Sequence, residues 1–109
     1  MKIWLDDLMD EKDSNRATPA GFVGAHSVNE AIELIEDANR RGEEIELIDL
    51  DHDLGDYALF GGDAINLLYY LVQHEEFPPV KIHTSNPVGR GNMIRVVNRF
   101  WPEELKIYF

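Results

Sequence analysis

Cysteine is absent from the 109-residue chain, so neither a disulfide framework nor a thiolate metal site is open to it. Positive charge is scarce: 10 Lys and Arg face 21 Asp and Glu, for a formal net charge of −11. That balance excludes an extended nucleic-acid surface, whose footprint would be basic, and an anionic membrane as partner. It still admits a small nucleotide or a single polymer end. Long hydrophobic runs are lacking, and the opening MKIWLDD has no basic n-region. No signal peptide and no membrane span are therefore expected, and a cytoplasmic protein is. Repeats, linkers and low-complexity tracts are missing as well. What is left is one domain over 1–109, with 44% apolar residues to fill one core.

The apolar residues fall into alternating patterns. Lys2–Leu5 reads as a short buried strand ending in Asp6-Asp7. Residues 8–20 are polar and read as a loop, and Phe22–Ala25 reads as a second strand. Ser27-Val28-Asn29-Glu30 is a capping-box pattern, followed at helical spacing by Ala31, Ile32, Ile35 and Ala38. Arg40 and Arg41 suit the negative end of that helix, and Gly42 suits its stop. Ile45–Leu50 is the third strand, and a helix is expected from about Gly62 to Glu75. Val80–His83 is the fourth strand. Asn86-Pro87 starts a third helix with Met93, Ile94, Val97 and Phe100 as its apolar stripe. Leu105–Phe109 reads as a fifth strand.

Strands alternating with helices imply an α/β fold with a parallel sheet. Five strands in the flavodoxin-like order 2-1-3-4-5 are the natural arrangement, and that fold binds ligands at the carboxyl ends of its strands. Asp6-Asp7 ends strand one, Asp51-His52-Asp53 ends strand three, and His83-Thr84-Ser85 ends strand four. In this order the three are neighbours, about 4.8 Å from one to the next. The charge in "LDHDLG" thus converges on one rim.

"KIWLDD", "LDHDLG" and "IHTSNPVGRGNM" resemble, in order and over nearly the whole chain, the cyclic-phosphate-processing receiver-like domains, a derivative of the response-regulator receiver fold. The resemblance implies processing of cyclic phosphates with two motif histidines. It places the acid pair on Asp6 and Asp7, the DHD motif on Asp51, His52 and Asp53, and the second histidine on His83, followed by Ser85, Asn86 and the Gly89 region. Family members commonly carry an arginine shortly after the acid pair; Met9 stands there, so Arg90 or Arg16 would have to replace it. An ordinary receiver has five helices. Only three are expected here, with the first and last missing, and both missing helices belong to one face of the sheet. Loop 8–20 is expected to cover part of that face, and a homodimer contact more of it.

Each residue has a plain alternative to its functional reading. Asp6, Asp7 and Asp51 suit Mg²⁺ or Mn²⁺, which prefer oxygen ligands; otherwise Asp7 caps a turn. His52 and His83 could divide the base and acid roles that opening a cyclic phosphodiester requires. Asp51 or Asp53 would orient His52, and Asp53 is counted with the catalytic pair; otherwise each histidine is a satisfied structural residue. His83-Thr84-Ser85 has the H-x-[ST] look of two-histidine phosphodiesterases, in which the hydroxyl holds a phosphate oxygen. Asn86 is an N-cap, and the same helix start, with Arg90 and Asn92, suits a phosphate. Asp49 reads as supporting or structural, and His26 and His74 as surface residues.

Three functions fit. The first is a phosphoesterase acting on the cyclic phosphate of an RNA end, a nucleotide or a nucleotide-derived sugar. The second is a divergent phosphoacceptor receiver that would be phosphorylated on Asp51. The third is a non-catalytic nucleotide-binding module.

Overall fold

The computed structural model describes residues 1–10 and 16–105. Four strands, β1 (Lys2–Leu5), β2 (Val23–Ala25), β3 (Leu47–Leu50) and β4 (Val80–Ile82), form an all-parallel sheet in the order β2-β1-β3-β4. Three helices, α1 (Val28–Arg40), α2 (Ile65–Gln73) and α3 (Pro87–Phe100), supply the crossovers. None of them is long and apolar enough to cross a membrane. Of the fifth strand expected over Leu105–Phe109, Leu105 closes a 3-10 turn, Glu103–Leu105, and residues 106–109 lie outside the described residues.

Register divides the sheet into two chemically different faces. Ile3, Ile48 and Val80 share one row, and Leu5, Leu50 and Ile82 another. All six are buried and join Ala31, Ile35, Leu67, Leu68, Leu71, Met93 and Val97 in a single core. The intervening row is Gly24, Trp4, Asp49 and Lys81. Strand side chains alternate between faces, so this row belongs to the face away from the core. The chain's own segments cover much of it. Trp4 is 6% exposed. Its indole N–H donates to the Arg16 carbonyl at 2.9 Å, and Phe22 meets it edge-on. Met9 and Thr18 crowd Gly24, where an added Cβ would lie 2.4 Å from the Met9 sulfur.

The helix signals act as their chemistry requires. Ser27 Oγ accepts from Glu30 N at 3.1 Å, and Asn86 Oδ1 accepts from Gly89 N at 3.0 Å. The Glu30 carboxylate reaches one residue further back than a capping box demands, to His26 N at 2.6 Å. α2 begins later than Gly62. A 3-10 turn over Gly55–Leu59 and two positive-φ glycines, Gly61 and Gly62, occupy the stretch before it. That turn leaves Leu59 and Phe60 exposed.

Candidate functional site

The ladder continues one residue past the strands, and this extension builds the site. Asp6 N donates to Ala25 O at 3.1 Å, Asp51 N to Leu5 O at 2.9 Å, and His83 N to Leu50 O at 3.0 Å. Asp6, Asp51 and His83 are thereby fixed side by side at the carboxyl edge, as the strand-end rule predicts. An Asx turn, with Asp6 Oδ1 accepting from Leu8 N at 2.8 Å, then turns the chain away from β1.

Arg16 closes the acidic end of this rim. Its guanidinium forks onto Asp6, with Nε 3.0 Å from Oδ2 and Nη2 2.8 Å from Oδ1. The same Nη2 reaches Asp7 at 2.8 Å and makes a close ion pair with Asp51. Asp6 is fully buried and Asp51 nearly so. Burial alone would raise the Asp6 carboxyl, but hydrogen bonds from His83 and Arg16 outweigh it and hold the group below the usual carboxylate range. Asp7 goes the other way: burial pushes it up, against the nearby Arg16 charge.

His83 is gripped from both sides. Nδ1 lies 2.8 Å from Asp49 Oδ1 and Nε2 lies 2.9 Å from Asp6 Oδ2. An ionised carboxylate only accepts, so both ring nitrogens must carry protons, which makes the ring an imidazolium. Burial favours the neutral ring, but the two hydrogen bonds overcome it and the pKa is raised. The ring also stacks flat on Trp4, with centroids 3.8 Å apart and planes 2° apart, which suits a cation over an indole.

His52 is held differently. Its Nδ1 lies 2.9 Å from Asp53 Oδ1. Asn86 Nδ2 donates to Asp53 Oδ2 at 2.9 Å, while Asn86 Oδ1 caps α3. One asparagine therefore ties the helix start to the carboxylate that orients the histidine. The His52 hydrogen bond and then the Asn86 bond lower the pKa of Asp53. Gly89 backs the ring, since a Cβ there would come within 2.5 Å of His52 Cγ. Nε2 of His52 has no hydrogen-bond partner among the described residues.

Other expected residues lie near this rim with different tasks. Arg90 donates to the Ile82 carbonyl at 2.9 Å, anchoring α3 to the end of β4. Asn92 accepts from Arg95 at 2.6 Å. Ser85 is exposed, and it is Thr84, not Ser85, whose hydroxyl accepts from Asn86 N at 3.1 Å. His26 is no ordinary surface residue. It bridges Asp10 at 2.7 Å and Glu30 at 3.1 Å and stacks on Tyr57. Burial opposes the charge on His26, but those two carboxylates raise its pKa. Its signal in the sequence was Glu30 at i+4. Asp63 was missed: it accepts from Leu54 N at 3.0 Å and groups with His52 and Asp53.

Two groups of described residues gather ligand atoms suited to a cation: Asp6, Asp7 and Asp51, and His52, Asp53 and Asp63. A family model described as the cyclic-phosphate processing receiver domain matches residues 1–99 of the chain. No curated protein and no solved structure gives a significant match.

Proposed function

The chain belongs to the cyclic-phosphate processing receiver family, and from that premise we propose that it is a phosphoesterase that opens a cyclic phosphodiester, with His52 as its proton-transfer residue. The observation that carries this reading is the Asn86–Asp53–His52 chain of hydrogen bonds. It fixes the tautomer, because Nδ1 donates to Asp53 and leaves the Nε2 lone pair to accept a proton. A carboxylate that orients a histidine and stabilises its imidazolium is the arrangement a general base uses. His52 would take the proton of the attacking water. His83 can return one to the leaving oxygen only if substrate displaces Asp6 or Asp49 from its ring, since both nitrogens are engaged. Ser85, exposed just before the N-cap of α3, and Asn92, about two turns further on, are proposed contacts for the phosphate. Arg90 would join them by exchanging its carbonyl partner.

The donor set of Asp6, Asp7 and Asp51 fits Mg²⁺ or Mn²⁺, which take carboxylate oxygens. A metal there would polarise a phosphoryl oxygen. Charge agrees: Asp6, Asp7, Asp49 and Asp51 outnumber Arg16 and the His83 imidazolium by two. Arg16 would have to withdraw, so Arg16→Gln should bind Mn²⁺ more tightly than the native chain in a calorimetric titration. Equal binding would remove the acid pocket from the metal proposal.

A phosphoacceptor role for Asp51 is less well supported. Its Oδ1 accepts from His52 N at 2.8 Å and its Oδ2 is paired with Arg16. The arginine in the acid pocket is the observation that favours a non-catalytic nucleotide-binding module. ³¹P NMR decides between that and an enzyme. With 2′,3′-cyclic nucleotides, ring opening should be lost in His52→Ala. A shifted but unreacted phosphorus signal, unchanged by His52→Ala, would favour the binding module.

A further inference from the structure

A groove of about 360 Å³ runs between α2 and α3, lined by Ile65, Tyr69, Asn92, Arg95, Arg99 and Phe100 among others. Its charge is opposite to that of the whole molecule. α3, PVGRGNMIRVVNRF, holds three arginines and no acid, and α2, INLLYYLVQ, holds no charge at all. Elsewhere Arg16, Arg40 and Arg41 are each paired with a carboxylate. The groove arginines have neutral partners instead: Arg95 donates to Asn92 at 2.6 Å, and the Arg99 guanidinium lies 5.3 Å over the Phe100 ring. Both heads are positioned, and neither has a carboxylate partner among the described residues. Beside them Tyr69 is 50% exposed and Phe100 41%.

The groove starts at the proposed active site. Ala64, just before Ile65, donates to the His52 carbonyl at 2.9 Å, and Gly89, less than one turn before Asn92, packs on the His52 ring. From that end Arg95 and Arg99 follow along one side of α3. They are separated by about 6 Å of helix rise. Two fixed cations beside exposed aromatic faces are what a single nucleic-acid strand requires, phosphates on the cations and bases on the rings.

We propose that the substrate is the end of an RNA strand rather than a free nucleotide or sugar, and that the α2–α3 groove holds the nucleotides preceding the cyclic phosphate. This rests on the phosphoesterase reading for the terminal group alone. It also agrees with the charge of the chain, because two cations suffice for one strand end where a duplex would need a broad basic surface. An acidic peptide would satisfy the arginines but has no use for the exposed rings.

The test sets a labelled single-stranded oligouridylate of about six nucleotides, ending in a 2′,3′-cyclic phosphate, beside the cyclic mononucleotide. Binding is followed by anisotropy and ring opening by ³¹P NMR. The oligomer should bind at least about tenfold more tightly, since each stacked base alone contributes that much. Its affinity should fall with salt at a log–log slope of about −1.4 for two phosphates on a single strand. Arg95→Gln/Arg99→Gln and, separately, Tyr69→Ala should remove the preference, with the loss confined to the oligomer. Ring opening of the mononucleotide with no oligomer preference would overturn the groove and leave the phosphoesterase. Oligomer binding that depends on both arginines, with no turnover of either ligand, would do the reverse. An oligoglutamate peptide that binds through the same arginines more tightly than the RNA would overturn the nucleic-acid occupant.

Discussion

His52 and His83 have the same side chain in opposite circumstances. His83 neutralises two buried or nearly buried carboxylates, Asp6 and Asp49. Removing it strips one cation from both, leaving Asp6 to Arg16, and breaking such a buried pair typically costs about 3 kcal/mol or more. Among the described residues the His52 ring hydrogen-bonds only to the exposed Asp53, and it packs on Gly89. Urea unfolding should therefore show His83→Ala as strongly destabilised and His52→Ala within about 1 kcal/mol of the native chain. Equal losses would mean that His52 is structural too. The convergence of Asp6, Asp51 and His83 was legible in the sequence because parallel strands end together. Arg16 was legible only as a stand-in for the family's arginine. It lies in a polar stretch without periodicity, and spacing there says nothing about where a long side chain lands. Asp49 was legible as a supporting residue, but its bond to His83 depends on the pairing of β3 with β4.

At the scale of elements, α3 couples stability to the site through Asn86. Its two side-chain atoms do separate jobs, one capping the helix and one holding Asp53. Asn86→Asp keeps the cap acceptor but turns a donor into a carboxylate facing Asp53. The melting temperature should stay close to native while ring opening falls. Asn86→Ala should lose both, with about 1 kcal/mol of stability gone with the cap. If Asn86→Asp kept full activity, Asp53 would not be what positions His52. Helix starts were legible because Ser27 and Asn86 are strong caps. The start of α2 was not, because Gly61 and Gly62 adopt positive φ and set up a turn that hydrophobic spacing does not register.

For the molecule as a whole, the raised histidines and the excess of acid act together. His26 and His83 have pKa values above the ordinary 6.5. Their stabilising contributions are fully present below that ordinary value and are lost as pH rises through the raised ones. Asp6 and Asp53 are depressed, so theirs are present above the ordinary 3.8 and fade as pH falls through the lowered values. Protonation also relieves the self-repulsion of a chain at −11. The melting temperature should therefore be higher at about pH 6 than at about pH 8.5, with part of the difference removed in His26→Gln. A flat profile would show that neither imidazolium contributes net stability. The α/β class and the receiver-like order of the first four strands were legible at this scale. The cover over the helix-free face was legible in part: loop 8–20 was expected there, and its Met9, Arg16 and Thr18 lie against Trp4 and Gly24.

The flat stack of Trp4 on His83 gives the protein an internal optical gauge. A protonated imidazole accepts an electron from an excited indole, so Trp4 should emit weakly while His83 is charged and brighten when the ring loses its proton or is pulled away. The other tryptophan, Trp101, meets Phe77 edge-on and donates to the Pro78 carbonyl at 2.7 Å, far in character from any titrating ring. Its emission is a steady background against which ligand entry at the rim can be followed without a label.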